Sequence, residues 1–428
     1  MKLDKVELSL PAGENYPLPR MLPVEQRFPK EAIADVRQAV ERTLAALPKR
    51  PDVKGKRIAI TAGSRGIPHA VEILKTVVAQ LKAWGAEPFL VPAMGSHGGG
   101  TAEGQKSLLE GYGITEASVG APILASMEVV ETTSVEGVPL YCDKYAHGAD
   151  GIVILNKIKP HSNYKGDYES GLCKMMVIGL GKHHGATMFH SLGFTRFADI
   201  IPKAAAAQMK VLPVVFALGL VENAYDGLAV IEAIPPEKMV AREKELLIQA
   251  KDIMGKLLMS SIDVLIVDEI GKNISGQGMD PTVTGRASSG LPGFVALPLK
   301  RIIIRDISEE SHGNVAGMGV ADLITLRVFN KMDLGSTYTN GITARNLEGA
   351  RMPMVVNSDR QAIAVAIQTC VGLELEKLRI VRIKNTKKLH KIQMSETYLD
   401  EIKAKPGSFA VLGEAKPFAF DNQGNLFG

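Results

Sequence analysis

Residues 57–66 read RIAITAGSRG, in which a short β-branched run is followed directly by a glycine-rich turn. Residues 88–97 (PFLVPAMGSH) and 151–161 (GIVILNKIKPH) repeat this pattern of an apolar run and a polar loop. Such runs predict buried parallel strands, because strands covered by helices on both faces are apolar throughout. Loops that follow parallel strands lie at one edge of the sheet, where α/β proteins bind ligands. We therefore expect the three loops to converge on one site.

Helical patterns alternate with these strands. Apolar residues fall on one helical face in 33–47 and again in 71–81, and the second pattern ends at Gly85, a typical residue just beyond a helix C-terminus. Further strand patterns occur at 211–218, 263–268, 301–306 and 378–383. Strands that alternate with helices of this length predict an α/β fold with largely parallel sheets.

The length of the chain predicts two domains or one large one, because 428 residues exceed the size at which single cores usually stop growing. A long polar helix pattern covers 235–258, and a new strand pattern begins at Asp263. We therefore place a boundary near Ser260, with an N-terminal catalytic domain at 1–260 and a second α/β domain at 261–428.

Composition argues against several classes of protein. A net charge of +4 and an aromatic content of 5% offer little for nucleic-acid binding, which uses basic surfaces and aromatic stacking. No run of about 18 apolar residues is present to span a membrane. The N-terminal residues 1–20 carry charges and prolines that interrupt any signal peptide, and Cys142, Cys173 and Cys370 form no CxxC pair. We expect a cytoplasmic protein that binds neither nucleic acid nor membranes.

The first two loops carry features of an anion site. In Gly63-Ser-Arg-Gly66, a glycine-rich turn before a helix presents backbone N–H groups, and Arg65 adds a fork suited to a carboxylate. In residues 95–101 (GSHGGGT), glycines around His97 let a ligand approach, and Thr101 is the predicted N-cap of the next helix. A plain tight turn and a solvent-exposed histidine are the alternative interpretations.

Four of the nine histidines lie between residues 161 and 190. Imidazole binds nickel, copper, zinc and iron, and it exchanges protons near neutral pH. His183 and His184 are neighbours on a predicted helix, so at most one of them lines a site. His161, which follows a strand, and His190 are the stronger candidates. No HExxH, GxSxG or Walker sequence accompanies them. These residues alone indicate a metal-binding or acid–base cluster beside an anion-binding loop.

An ordered series of these residues resembles the nickel-dependent lactate racemase family. The series is Gly63-Ser-Arg65, Gly95-Ser-His97-x-x-x-Thr101, Pro160-His161, Ser170-Gly-x-x-Lys174, Gly179 and His190, and it falls within positions 55–195. The spacing from Lys174 to His190 is its most specific part.

The resemblance implies a nickel-pincer nucleotide as the cofactor, a pyridinium-3,5-bisthiocarboxylic acid mononucleotide that holds nickel through a ring carbon and two sulfurs. It implies that Lys174 is linked covalently to one arm of this cofactor and that His190 completes the coordination of nickel. Ser64 and Gly179 are expected to contact the cofactor. The cofactor-synthesis proteins of that family would be partners of this chain.

The resemblance also assigns the substrate-binding and catalytic residues. His97 and His161 correspond to two alternating acid–base histidines, and Arg65 to the arginine that holds the substrate. Lys272 and Gln277 lie in a segment that matches the family's substrate-closing loop loosely. This similarity implies an active site in the cleft between the two domains, with the second domain closing over the substrate.

The activity implied is an isomerase, a racemase or 2-epimerase, that inverts C2 of a 2-hydroxy acid. The interval from His161 to Lys174 is longer than is usual in the family and carries charges, so we expect a substrate longer or more polar than lactate, such as an aldonate. Two alternatives remain open. One is a non-catalytic carrier of nickel or nucleotide with the same fold. The other is a zinc hydrolase that uses His183, His184 and His190.

Overall fold

The computed structural model describes residues 2–294 and 297–427. The chain forms two compact units, a central unit of Lys30–Met254 and a terminal unit that combines Met1–Pro29 with Gly255–Gly428. This division differs from the predicted boundary near Ser260, because Met1–Pro29 groups with the C-terminal part of the chain. The predicted roles of the two domains stay predictions.

The strands are β1 (Met21–Gln26), β2 (Arg57–Ala62), β3 (Glu87–Pro92), β4 (Val129–Val135), β5 (Val138–Asp143), β6 (Gly151–Lys157), β7 (Val214–Glu222), β8 (Leu228–Ile234), β9 (Ile262–Val267), β10 (Leu299–Ile304), β11 (Leu323–Thr325), β12 (Met354–Val356), β13 (Ile380–Ile383), β14 (Lys391–Ser395) and β15 (Phe409–Val411).

The helices are α1 (Val36–Ala45), α2 (Ala70–Ala83), α3 (Ala102–Gly111), α4 (Glu116–Val119), α5 (Lys144–His147), α6 (Leu172–Lys174), α7 (Lys182–Ser191), α8 (Phe197–Gln208), α9 (Met239–Ile253), α10 (Pro281–Thr284), α11 (Leu326–Lys331), α12 (Leu334–Thr343), α13 (Asp359–Gln368) and α14 (Leu399–Ala404). A π-helical turn, Met175–Gly179, follows α6. Among the helices of the described residues, none combines the length and the apolar character that crossing a membrane requires.

The main sheet of the central unit has the order β3-β2-β6-β7-β8, in which the first four strands are parallel and β8 is antiparallel. The strand predicted at 57–62 is confirmed to the residue. The strand predicted to begin at Val211 begins instead at Val214, because Pro213 has no backbone N–H to donate to a neighbouring strand. The carbonyl of Pro213 still accepts the N–H of Ile152.

Helix ends in the central unit follow the local sequence. Asp35 caps α1 by accepting the N–H of Gln38. Thr101, the predicted N-cap, caps α3 by accepting the N–H of Gly104. Gly85 follows α2 with φ +85°, which confirms its predicted place beyond the helix end. Fully buried residues of α1, α2 and the sheet, such as Val40, form one apolar core, in which each large side chain contributes about 1.5–3 kcal/mol.

The terminal unit is built on a sheet with the order β12-β11-β10-β9-β13-β14-β1-β15. Its first five strands are parallel, and β14, β1 and β15 add an antiparallel edge. Met21 pairs with Ser395 and Val24 with Val411, so the N-terminal segment is part of this sheet. This pairing is the physical reason why the first residues belong to the terminal unit. Both units are α/β, which confirms the predicted fold class.

Candidate active site

The loop after β3 places His97 beside the loop after β2. His97 Nδ1 lies 2.8 Å from the carbonyl oxygen of Met94, and Arg65 Nη2 lies 3.4 Å from His97 Nε2. A carbonyl only accepts, so the neutral ring carries its proton on Nδ1 and donates it to Met94. Nε2 therefore has a lone pair, and it faces the guanidinium of Arg65. In this state His97 is equipped to accept a proton at Nε2.

The loop after β6 holds His161 in the opposite tautomer. The N–H of Asn163 donates to His161 Nδ1 over 3.0 Å, so Nδ1 is unprotonated and the neutral ring carries its proton on Nε2. His161 Nε2 lies 2.6 Å from Lys174 Nζ. Since Nε2 is the donor, Lys174 must accept, and only a neutral amine has a lone pair to do so. The hydrogen-bond pattern thus requires an uncharged Lys174.

The electrostatic surroundings agree with this assignment. Burial, and after it the positive charges of Arg65 and Lys159, lower the pKa of Lys174 to about 7. Burial also holds the pKa of His161 well below its usual value, and the charges of Lys174, in the molecules where it is protonated, and of Lys159 and Lys165 lower it further. Near neutral pH, the pair therefore consists of a neutral imidazole and an amine that is about half deprotonated.

Arg65 connects the two histidine pairs. It contacts His97, and its charge is one of those that lower the pKa of Lys174. Burial also lowers the pKa of the half-buried Arg65 itself. The loops after β2, β3 and β6 therefore bring Arg65, His97 and His161 together, as the strand pattern predicted, and α6 adds Lys174 to the same site. Their catalytic and binding roles stay predictions.

His190 lies on α7 against an aromatic wall that it shares with His161. The Phe194 ring centroid is 5.6 Å from that of His190 and 6.1 Å from that of His161. The charge of His190 is also among the influences that lower the pKa of His161. The half-buried imidazole of His190 is thus a neighbour of the His161–Lys174 pair. A histidine here and a neutral amine beside it are a suitable donor set for a metal cofactor that is held covalently.

The other two histidines of α7 face different neighbours. The His184 ring packs edge-on against Tyr141 at a centroid distance of 4.5 Å, whereas His183 faces the Gly100 loop. Both side chains are exposed. Within residues 2–294 and 297–427, no three His, Cys, Asp or Glu side chains are grouped as a metal site would require. The zinc site hypothesised from His183, His184 and His190 is therefore not formed by these side chains.

Ser64 and Gly179 have contacts within the protein that the sequence did not reveal. Ser64 Oγ lies 3.1 Å from His97 Nδ1, so Ser64 supports the ring of His97. A Cβ atom on Gly179 would lie 2.8 Å from the carbonyl oxygen of Ala93 and equally close to Met175 Sδ. The absence of a side chain at Gly179 is thus explained by close packing of the π-helical turn on the end of β3. Cofactor contacts of both residues stay predictions.

Lys272 and Gln277 lie in the terminal unit, where both form local hydrogen bonds. Lys272 Nζ donates to the carbonyl of Gly276 over 2.6 Å and to Asn340 Oδ1 over 2.5 Å. Gln277 is buried, and its Oε1 accepts the hydroxyl of Ser288 over 2.8 Å. Their predicted contact with the substrate stays a prediction.

The buried carboxylate of Glu169 holds the long loop between His161 and Lys174 in place. Glu169 accepts the N–H of His161 over 2.6 Å and is paired with Lys165 and Lys251. Lys165 and Glu169 are two of the loop charges that suggested a polar substrate. They form ion pairs within the protein instead. Sequence reasoning missed this role, because Lys251 lies on α9, far along the chain from Glu169.

A second buried carboxylate holds the backbone beside Lys174. Glu243 of α9 accepts the N–H of Cys173 over 2.6 Å. Burial raises the pKa of Glu243 to about 7, and it raises the pKa of the Cys173 thiol well above its usual value. A Cβ atom on Gly171 would clash with the carboxylate of Glu243, so glycine suits this close approach. The helix pattern by which α9 was predicted from the sequence did not indicate that Glu243 contacts Cys173.

A third network supports the His97 loop. Gln105 of α3 donates to the carbonyl of Gly95 over 2.9 Å and to that of His97 over 3.2 Å. Its Oε1 accepts from the buried Lys182 over 2.7 Å. Lys182 Nζ lies 3.5 Å from Asp143 Oδ2, and burial raises the pKa of Asp143 while it lowers that of Lys182. The position of His97 therefore depends on α3 and α7.

The comparisons with known proteins bear on the fold. No family model matches the chain, and no curated protein matches it in sequence. Among solved structures, the chain is similar to the lactate racemase apoprotein from Thermoanaerobacterium thermosaccharolyticum, with a TM-score of 0.51 and 15% sequence identity. The match covers 86% of this chain and 99% of that one. At this level of identity the likeness concerns the fold, and the chain has the fold of a lactate racemase.

Proposed function

We propose that this protein is an isomerase, a racemase or 2-epimerase, that inverts C2 of a 2-hydroxy acid with the help of a nickel-pincer nucleotide. One observation carries the proposal. The two histidines hold opposite tautomers, one beside a guanidinium and the other beside a neutral amine, within a racemase fold. Inversion requires an acid–base group for the hydroxyl of each enantiomer, and two histidines that each direct Nε2 into the site are suited to this role.

Arg65 binds the carboxylate of the substrate. Its guanidinium forms two parallel hydrogen bonds with a carboxylate, which fixes the orientation of the C2 centre. His97 Nε2 lies 3.4 Å from this guanidinium, within reach of a hydroxyl on the adjacent carbon. His97 then accepts the hydroxyl proton, since its lone pair is on Nε2. Met94 and Ser64 keep the ring in this tautomer.

Lys174 and His190 would hold the cofactor. The neutral amine of Lys174 has the lone pair needed to displace the leaving group of an acyl-type arm, with loss of an amine proton, and His190 would offer an imidazole for nickel. When bound, the chemistry that the pincer nucleotide supplies is reversible acceptance of the C2 hydrogen as hydride. This route avoids a carbanion next to an ionised carboxylate, since the C2 proton there is only weakly acidic.

His161 serves the opposite enantiomer. In the structure its Nε2 proton is donated to Lys174. Acylation of Lys174 removes the basic lone pair of the amine, so His161 loses the acceptor for this proton. A shift of that proton to Nδ1, with loss of the hydrogen bond from the Asn163 N–H, would then give Nε2 the lone pair that accepts the hydroxyl proton of the substrate. Attachment of the cofactor and activation of the second histidine are thereby coupled.

The test is racemisation by the cofactor-loaded, full-length chain produced together with the cofactor-synthesis proteins. We expect about one nickel per chain and formation of the opposite isomer from a panel of 2-hydroxy acids, measured by chiral chromatography. Changing His97 or His161 to Ala should lower turnover by about 100-fold or more, because each loses a general acid–base group. His183→Ala and His184→Ala are matched controls and should keep wild-type turnover.

Two outcomes contradict parts of the proposal. Normal racemisation by the His97 or the His161 variant would rule out the two-base scheme. Retention of nickel without hydrogen isotope exchange at C2 of any acid in the panel would instead support a carrier of nickel or nucleotide.

A further inference from the structure

An ion pair joins the ends of two strands to the loop that carries Arg65. Lys157 ends β6 and Glu222 ends β7, and these strands are neighbours in the central sheet. Lys157 Nζ donates to the two carboxylate oxygens of Glu222 over 2.7 and 2.8 Å and to the carbonyl of Gly66 over 3.0 Å. An ammonium group has three N–H donors, so these three acceptors match them. Lys157 is thus engaged within the protein rather than with a substrate.

The pair is largely shielded from water and electrically balanced. The side chain of Lys157 is 11% exposed and that of Glu222 is 15% exposed. Water therefore competes only weakly for either group, and the pair holds one geometry. Because the two charges cancel, the pair acts on the site through the position of Gly66 and not through a net charge.

A second side chain holds the loop on the other side of Arg65 in the chain. The hydroxyl of Tyr112, which follows α3, donates to the carbonyl of Ser64 over 3.0 Å. A Cβ atom on Gly66 would lie 3.6 Å from the Tyr112 ring, so the ring also packs on the loop. The residues before and after Arg65 thus have their carbonyls fixed by side chains from elsewhere in the central unit.

We infer that Lys157 is a positioning residue. By holding Gly66, and with Tyr112 holding Ser64, it keeps the Arg65 guanidinium in the orientation that binds the substrate carboxylate. This inference rests on the proposed function, in which Arg65 binds that carboxylate. Arg65 Nη2 lies 3.4 Å from His97 Nε2, so a shift of the loop changes the distance between the bound substrate and the base. A misplacement of about 1 Å is enough to lower a rate by about 100-fold.

The first test measures binding to the full-length chain by NMR titration. The probe is 2-hydroxy-2-methylpropanoate, which has the carboxylate and the hydroxyl but no hydrogen at C2 to transfer. Lys157→Met should weaken its binding by about 10-fold, as expected if Arg65 is then correctly placed in about a tenth of the molecules. Tyr112→Phe removes one neutral hydrogen bond and should weaken binding by about 3-fold.

The matched control is Lys203→Met. Lys203 of α8 also has two hydrogen bonds to carboxylates, those of Glu136 and Asp199 over 2.8 and 2.9 Å, but no contact with the Arg65 loop. This variant should bind the probe as the wild type does. If Lys157→Met fails to fold, Tyr112→Phe decides the question, and unchanged binding by Tyr112→Phe would then overturn the inference.

A double variant separates position from charge. Lys157→Met leaves Glu222 without its cation, and that carboxylate alone would repel an anionic probe. Lys157→Met/Glu222→Leu removes both charges but still releases Gly66, so binding should remain about 10-fold weaker than in the wild type. Recovery of wild-type affinity in the double variant would show that repulsion by Glu222 caused the loss, and it would overturn the inference.

The second test is a comparison of KM and kcat in the cofactor-loaded chain. Lys157→Met should raise KM by about 10-fold and keep kcat within about 3-fold, because binding of the carboxylate selects the molecules whose loop is correctly placed. A role in stability alone would lower the active fraction. The result would then be a lower kcat with an unchanged KM, which would overturn the positioning role.

The outcomes also separate this inference from the proposed function. Weaker binding of the probe by both loop variants, without racemisation of any 2-hydroxy acid by the loaded wild type, would uphold the positioning role and overturn the function. Racemisation with wild-type KM and wild-type affinity in both variants would overturn the positioning role and leave the function standing. Failure of the wild-type chain to bind the probe would overturn the inference.

Discussion

His97 and His161 follow β3 and β6, the two strands that flank β2 in one sheet, yet they hold their protons on opposite nitrogens. The difference comes from the backbone. A carbonyl, that of Met94, accepts from Nδ1 of His97, whereas an N–H, that of Asn163, donates to Nδ1 of His161. The two Nε2 atoms face the site, one with a lone pair and the other with a proton. Two identical side chains thus acquire different chemistry from single main-chain contacts.

The largest expected effect concerns Lys174, the partner of His161. A pKa of about 7 leaves half of its amine neutral at pH 7, whereas an ordinary lysine is neutral in about one molecule in 2,500. We expect limiting amounts of an amine-acylating reagent to modify Lys174 about 50-fold faster than exposed lysines, because its larger neutral fraction outweighs the weaker nucleophilicity of a less basic amine, as measured by peptide mass spectrometry. The rate at Lys174 should level off above pH 8, while the rates at exposed lysines keep rising. A rate at Lys174 that rises in parallel with theirs would contradict the neutral amine.

The next effect concerns Glu243, which holds the backbone beside Lys174. Its pKa is raised to about 7, so the folded state binds more protons than the unfolded state between about pH 4.5 and 7. Stability therefore falls as pH rises through this window, by up to about 3 kcal/mol. Glu243→Gln should remove this decline, as measured by urea unfolding at pH 5 and pH 7.5. The same decline in wild type and variant would show that Glu243 is not its source.

A smaller effect is expected on the His97 side, at Gln105. Gln105→Leu removes the donors to the Gly95 and His97 carbonyls and the acceptor for Lys182. We expect a loss of about 1–3 kcal/mol in the free energy of unfolding, because buried polar groups lose their partners. Gln38→Leu, on the exposed face of α1, is the control and should lie within about 0.5 kcal/mol of wild type. A Gln105→Leu variant as stable as this control would argue against the network.

The smallest effect distinguishes two glycines beside His97. Gly98 and Gly99 have φ values of +68° and +67°, so alanine bears a similar backbone cost at both. A Cβ atom on Gly98 would lie 2.6 Å from the backbone nitrogen of Gln105, whereas nothing lies within 4 Å of one on Gly99. Gly98→Ala should therefore be about 1 kcal/mol less stable than Gly99→Ala in thermal unfolding. Equal losses of stability in the two variants would show that α3 shifts to make room for the added methyl group.

Local patterns predicted much of the central sheet. The strand at 57–62 was predicted with both ends correct, and Thr101 and Gly85 mark helix ends as expected. These features depend on neighbours in the chain, so the sequence contains them directly. The strand β1 was missed, because its partners β14 and β15 lie near the opposite end of the chain and Pro23 weakens its pattern.

The candidate site was predicted in part for a similar reason. The order of strands and loops placed Arg65, His97 and His161 at one edge, and the resemblance added Lys174 and His190. The tautomers and the supporting carboxylates were not predictable, because they depend on individual contacts between distant parts of the chain, such as that between Glu243 and Cys173.

The pairing of β1 with β14 has a consequence for synthesis of the protein. Most of the chain, positions 27–390, separates Gln26 from Lys391, and ribosomes need about 20–70 s to synthesise it at about 5–20 residues per second. During that time Met21–Gln26 has emerged but its antiparallel partner does not exist. Lys30–Met254 is complete well before then and is able to fold first. The nascent chain thus carries a strand with neither of its two partners through most of translation, the period in which a chaperone would protect it best.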